Sequence, residues 1–195
     1  MTADSPTPID PATSALLVMD YQHGIVERID GGAALLAAAR DTIALARARG
    51  VRVGYVRVGF ADGEAPGGTM GRRIGRDAAL TRFHADAPAT QIHDELAPQE
   101  GDIVVRKTRV GAFSTTDLQT QLRQTGVQTL LLAGISTSGV VLSTVRDAHD
   151  RDYRLIVLSD LCVDPEHDVH TFLIERILPR QAEVTPSGAL PDLLR

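Results

Sequence analysis

The run Thr129-Leu130-Leu131-Leu132-Ala133 constrains the fold more than any other stretch of this chain. It is apolar over the length of a strand, with no polar residue interleaved to mark a solvent-facing side. A strand of this kind needs cover on both faces, and doubly covered sheets are built from parallel strands joined by helical crossovers. The rest of the chain supplies the parts. Apolar runs at residues 15–19, 51–58, 103–106, 154–158 and 182–184 alternate with helical patterns at 33–49, 116–124, 137–148 and 169–178. The helix over 33–49 is rich in small alanines that allow close packing on a sheet, and Gly50 stops it. The alternation predicts an α/β architecture of three αβα layers around a doubly wound six-stranded parallel sheet, with right-handed crossovers.

At 195 residues the chain suits one domain and is too short for two ordinary ones. The polar, proline-containing start predicts a flexible arm over residues 1–12 and a single domain over 13–195. That start lacks the charged and apolar segments of a signal peptide, so a cytoplasmic location is expected. A net charge of −5 offers no basic field for phosphate backbones, and no apolar stretch reaches the roughly 18 residues of a membrane span. The expected partner is a small-molecule substrate, with neither nucleic acid nor membrane. One cysteine, Cys162, excludes an internal disulfide and a cysteine-built zinc site. Residues 59–97 hold several glycines and arginines without regular pattern, which predicts a mobile functional loop with some helix. Its glycines do not follow a strand in the spacing of a dinucleotide-binding turn, so no cofactor is expected.

Four blocks in order resemble the signatures of the isochorismatase-like superfamily, over roughly residues 14–186. Ser14-Ala15-Leu16-Leu17-Val18-Met19-Asp20-Tyr21-Gln22 resembles its first strand, ending in an aspartate with a glutamine two residues later. Arg106-Lys107-Thr108-Arg109-Val110-Gly111-Ala112-Phe113-Ser114 resembles the block that supplies the family's lysine. Gly134-Ile135-Ser136-Thr137-Ser138-Gly139-Val140 resembles a strand end running into a helix start. There the cysteine-hydrolase members carry a glycine, a threonine three residues on and a cysteine three further. Gly134 and Thr137 match, and the cysteine register falls on Val140. Leu158-Ser159-Asp160 resembles the end of the fifth strand.

The resemblance implies strand order 3-2-1-4-5-6, with a site between the first and fourth strands, and a homo-oligomer, dimer or larger. In the family's cysteine hydrolases the aspartate takes the thiol proton and the lysine stabilises the charged state. The thiolate then attacks an amide carbon, and helix-start N–H groups hold the oxyanion. By this correspondence Asp20, Lys107 and Val140 occupy the catalytic positions, and Gln22, Ser136, Thr137, Gly139 and Phe113 are the substrate-binding candidates. The family's cis peptide maps to Ile135-Ser136. Some family amidases hold zinc through an aspartate and a histidine after the second strand, but residues 57–62 contain no histidine, so no metal is expected.

Valine has no nucleophilic atom, which closes the thioester route for position 140. The hydroxyls of Ser136, Thr137 and Ser138 suit helix capping, and Cys162 reads as an inert buried thiol. His167 and His170 fit a solvated cap region. His23 either borders the pocket or lies on an exposed turn. Arg72, Arg73 or Arg76 of the long loop could capture a carboxylate. Isochorismatases proper dispense with the cysteine and use the aspartate as a general acid on a vinyl ether. They carry tyrosine, alanine and histidine where this chain has Ser136, Thr137 and Ser138, which argues against isochorismate as substrate. Two readings remain: a hydrolase using Asp20 as acid or base with Lys107, or an inactive binding protein of the same fold.

Overall fold

The computed structural model describes residues 7–64, 66–75 and 81–194. Six parallel strands form one sheet in the order β3-β2-β1-β4-β5-β6, as the resemblance implies. They are β1 (Ser14–Met19), β2 (Arg52–Val58), β3 (Ile103–Lys107), β4 (Thr129–Ile135), β5 (Arg154–Val163) and β6 (Glu183–Thr185). Every residue of β1 and β4 is buried, which is what an uninterrupted apolar run requires of a central strand.

Side-chain alternation along those two strands divides the core in two. Ala15, Leu17, Met19, Leu130 and Leu132 face one cluster, where Leu118, Leu122, Val141, Val145 and Leu173 pack from the helices. Leu16, Val18, Leu131, Ala133 and Ile135 face the other, covered by Leu36, Ala39, Ile43 and Ala46 of α2 (Gly32–Ala48). Three layers follow, as the alternation predicts. The short α1 (His23–Val26) precedes α2, and the predicted helix in the long connection is α3 (Gly68–Ile74). No helix among the described residues is long and apolar enough to cross a membrane.

Two boundaries differ from the sequence reading for reasons visible in the pairing. β5 runs five residues past Leu158, because after a register shift Cys162 and Val163 pair with Gly134 and Ile135. The helix beginning at Thr137 opens as a π-helical turn (Thr137–Val141) before regular helix (Leu142–His149). The described part of the expected N-terminal arm is docked: Ile9 is buried and its N–H donates to Leu193 O at 2.9 Å.

Candidate active site

In a doubly wound sheet the crevice lies beyond the carboxyl ends of the strands where chain order reverses, here β1 and β4. Asp20 leaves β1 with φ 62°, a left-handed conformation that aspartate tolerates better than most side chains. Its N–H donates to Val56 O at 2.7 Å, fixing it beside β2. Lys107, the last residue of β3, donates from Nζ to Asp20 Oδ2 at 2.7 Å and to Val110 O at 2.6 Å. Both are almost wholly buried, at 5% and 2% exposure. Burial pushes the Asp20 carboxyl above its ordinary pKa, and the charge and hydrogen bond of Lys107 oppose that push. Asp20 Oδ1 has no partner, the sole buried side-chain nitrogen or oxygen in that condition among the described residues.

The helix start meets this pair from β4. The Ile135-Ser136 peptide is cis, at the position the resemblance implies. Ser136 then caps the turn, its Oγ accepting from Gly139 N–H at 3.1 Å. A Cβ at position 139 would stand 2.7 Å from that oxygen, so glycine is what lets the cap form. Gly134 has a comparable reason: a Cβ there would meet Val141 Cγ2 at 2.9 Å, Val140 Cγ1 at 3.2 Å and Met19 Cε at 3.3 Å. Val140 therefore packs down between the ends of β1 and β4, and it is 2% exposed.

The remaining candidates separate. Gln22 is consumed as a structural clamp: its Nε2 donates to Val58 O and Thr90 O, and its Oε1 accepts from Val58 N–H. Phe113 belongs to the core, its ring stacked with Tyr153 at 6.2 Å and covered by the Arg151 guanidinium at 5.0 Å. Neither ring nor carboxamide is offered to a ligand. Thr137 is fully buried and its Oγ1 lies 2.8 Å from His170 Nδ1. His170 thus braces the helix start instead of sitting in a solvated cap, and burial, followed by the neighbouring His167, pulls its pKa down. Nothing in its local sequence marks this contact, which spans 33 residues.

Cys162 sits on β5 opposite Gly134, its Sγ 3.8 Å from Leu132 O, and burial pushes the thiol pKa up to about 12. A thiol so far from ionising is inert at neutral pH. His23 pairs with Asp94 at 3.3 Å and lies against His93 with ring centres 4.4 Å apart and planes tilted by 32°, beside a separate groove with Glu27 and Gln91. Of the loop arginines, Arg72 is exposed and bonds Thr69, while the Arg73 side chain and all of Arg76 lie outside the described residues.

Above the buried pair runs an open groove of about 950 Å³. Its floor is Ser136, Ser138, Gly139, Ser143 and Val110, the last being the residue whose carbonyl holds Lys107. Because β4 lies between β1 and β5 in the sheet, the lining divides: Arg28, which follows β1, and Arg82, bonded to Gly24, form one wall with Met70 and Phe83, and Asp164, Pro165 and Glu166, which follow β5, form the other. Arg82 and Asp164 contribute to the groove although neither stands in a block that resembles the family's.

Fold and site together define a doubly wound α/β domain whose strand-switch crevice holds a buried carboxylate and lysine under a cis-peptide helix start. Residues 14–188 match the family profile described as Isochorismatase domain. The chain belongs to the isochorismatase family. It is 32% identical to the uncharacterized isochorismatase family protein YecD of Escherichia coli O157:H7, over 90% of this chain and 93% of that one. It is 33% identical to the ureidoacrylate amidohydrolase RutB of Methylobacterium radiotolerans, over 80% and 69%. Among solved structures, a cysteine hydrolase from Pseudomonas syringae pv. phaseolicola 1448A superposes with TM-score 0.88 at 26% identity, covering 100% of this chain and 98% of that one.

Proposed function

We propose that this protein is a small-molecule hydrolase that works without a thiol nucleophile, with Asp20 as its acid or base and Lys107 as the electrostatic partner. The observation that carries the reading is the division of labour on one carboxylate: Oδ2 is held by Lys107 and Oδ1 is left free. An unpartnered buried polar atom costs roughly 1–3 kcal/mol, a cost that a reacting group or water would relieve. The raised pKa suits a group that exchanges a proton nearer neutrality than a solvated aspartate does. The inert Cys162 supports the same reading, since it offers no substitute thiol.

In this mechanism Asp20 removes a proton from a bound water as it adds to the electrophilic carbon, the bond from that carbon to the leaving nitrogen or oxygen then breaks, and Asp20 returns the proton to the leaving group. In the acid variant Asp20 first protonates the substrate, water adds and the same bond breaks, and the proton lost by the water restores Asp20. Lys107 keeps the carboxylate oriented through Oδ2 and balances its charge. The similarity to a ureidoacrylate amidohydrolase makes ureido acids the first compounds to screen, followed by other amides, esters and vinyl ethers. Turnover of any of them by the wild type should fall at least about a hundredfold in Asp20→Asn. Equal rates in the two proteins would sink the assignment.

A second reading, a binding protein of the same fold without turnover, is favoured by the burial of Val140 and of both ionic partners below the groove floor. A ligand that raises the melting temperature and is recovered intact after long incubation would support it.

A further inference from the structure

The two walls of the groove carry opposite charge. Arg28, after α1, is not neutralised: among the described residues its guanidinium makes neither ion pair nor side-chain hydrogen bond. Among the described residues Arg82 reaches only the Gly24 carbonyl, at 3.2 Å, with its guanidinium 5.4 Å from the Phe83 ring centre. These contacts hold the cation in place without neutralising it. Facing them, Asp164 Oδ2 accepts from Ser138 N–H at 2.7 Å and Oδ1 from Glu166 N–H at 3.4 Å. Both acceptors are bound by neutral donors, so the carboxylate is positioned and its charge is uncompensated. Glu166 adds a second.

Two cations and two anions thus line one groove without forming an ion pair across it, among the described residues. Each wall is anchored to a different element, the cationic one to α1 through Gly24 and the anionic one to the helix start through Ser138. A ligand with one kind of charge would satisfy one wall and be repelled by the other. A dipolar ligand satisfies both, and the hydroxyls of Ser136, Ser138 and Ser143 between the walls supply neutral donors and acceptors for its middle. The volume of about 950 Å³ lies at the upper end of the range for small-ligand sites.

We infer that the groove selects small zwitterions, with a carboxylate against Arg28 and Arg82 and an ammonium, or a similarly charged nitrogen group, against Asp164 and Glu166. This rests on the hydrolase reading only for what happens to the ligand afterwards, since recognition by the walls does not require turnover. The polarity also sets orientation: the bond to be cleaved lies between the two charged ends, over the floor beneath which Asp20 is buried. The arginines that line this groove are Arg28 and Arg82, which were not among the carboxylate-capture candidates named from the sequence; of those candidates, Arg72 does not line it.

The test is calorimetric binding of ω-amino carboxylates of two to six carbons, each compared with its primary amide, which keeps only the ammonium, and with the plain carboxylate. At least one zwitterion should bind about fivefold tighter than both singly charged analogues at low salt, since each exposed charge contact is worth at most about 1 kcal/mol. Arg82→Met should bring the zwitterion down to the affinity of its amide, and Glu166→Gln to that of the plain carboxylate. Arg28→Met, at an exposed position, repeats the first comparison where folding is not at stake. Equal affinity for zwitterion and plain carboxylate, indifference to Glu166→Gln, or no zwitterion binding at all would overturn the inference. Repeating the titration in Asp20→Asn separates the two proposals. Preference without turnover leaves selection standing, and turnover without preference leaves the chemistry standing alone.

Discussion

The floor and the walls of this site follow different rules. Beneath the floor, Asp20, Lys107 and Gln22 are buried and, apart from Asp20 Oδ1, every polar group named there has a partner. In the walls, Arg28, Arg82, Asp164 and Glu166 are partly or fully exposed, and among the described residues none is paired with an opposite charge. Low dielectric makes the buried pair costly and its interactions strong. Water makes the wall charges inexpensive to keep and weak one at a time. The same molecule thereby places rigid electrostatics under the groove and adjustable recognition around it.

Substitution should separate those two regimes. The largest effect is expected from Asp20→Asn, which on the proposed reading lowers the catalytic rate by about 10²–10⁴-fold with ligand affinity little changed, as steady-state kinetics and calorimetry together would measure. Lys107→Met should destabilise the fold by about 3–5 kcal/mol in urea unfolding, because it strands a buried carboxylate. Adding Asp20→Asn to it should restore much of that loss, and strict additivity would show that the pair is not coupled.

Val140→Cys sharpens the contrast from another side. A thiol at that position, beside the ends of β1 and β4, should be alkylated by iodoacetamide at least about tenfold faster than Cys162, whose pKa near 12 leaves almost no thiolate. Equal labelling would mean the floor no longer supports a thiolate.

His170 tests the boundary between floor and wall. Its pKa is lowered in the folded state from the ordinary 6.5, so the unfolded chain binds the proton more readily. Its contribution to stability is therefore complete above pH 6.5 and is lost as pH falls through the lower, folded value. His170→Asn should give a shallower decline of melting temperature below pH 6.5 than the wild type. The smallest effect is expected of Cys162→Ala: turnover unchanged, and stability reduced by about 1 kcal/mol for the lost packing.

The floor was largely legible in the sequence and the walls were not. Asp20, Lys107, Gly134 and Thr137 stand in blocks that resemble the family's, and the apolar runs beside them set those blocks at strand ends. Those constraints are local, so residue type and spacing carry them. Gln22 and Phe113 lie in the same blocks, one as a clamp and the other as a core ring, and a block's resemblance does not tell which way a side chain points. The bond between Thr137 and His170, and the meeting of Arg82 with Asp164 around one groove, depend on how distant segments fold over the sheet. No periodicity encodes that. The same holds for β5, whose extension past Leu158 is set by pairing with Gly134 and Ile135 and not by its own hydropathy.

The docking of Ile9 on Leu193 has a use beyond stability. Arg154, which opens β5, donates to Thr7 O and Pro8 O, and Arg49, just ahead of β2, donates to Leu194 O. Residues 7–9 and 193–194 are thereby gathered at the strand beginnings, the opposite edge of the sheet from the groove. A circular permutant that joins them through a short linker should keep every strand register. Attachment to a surface through that edge would leave the groove facing outward, free to fill.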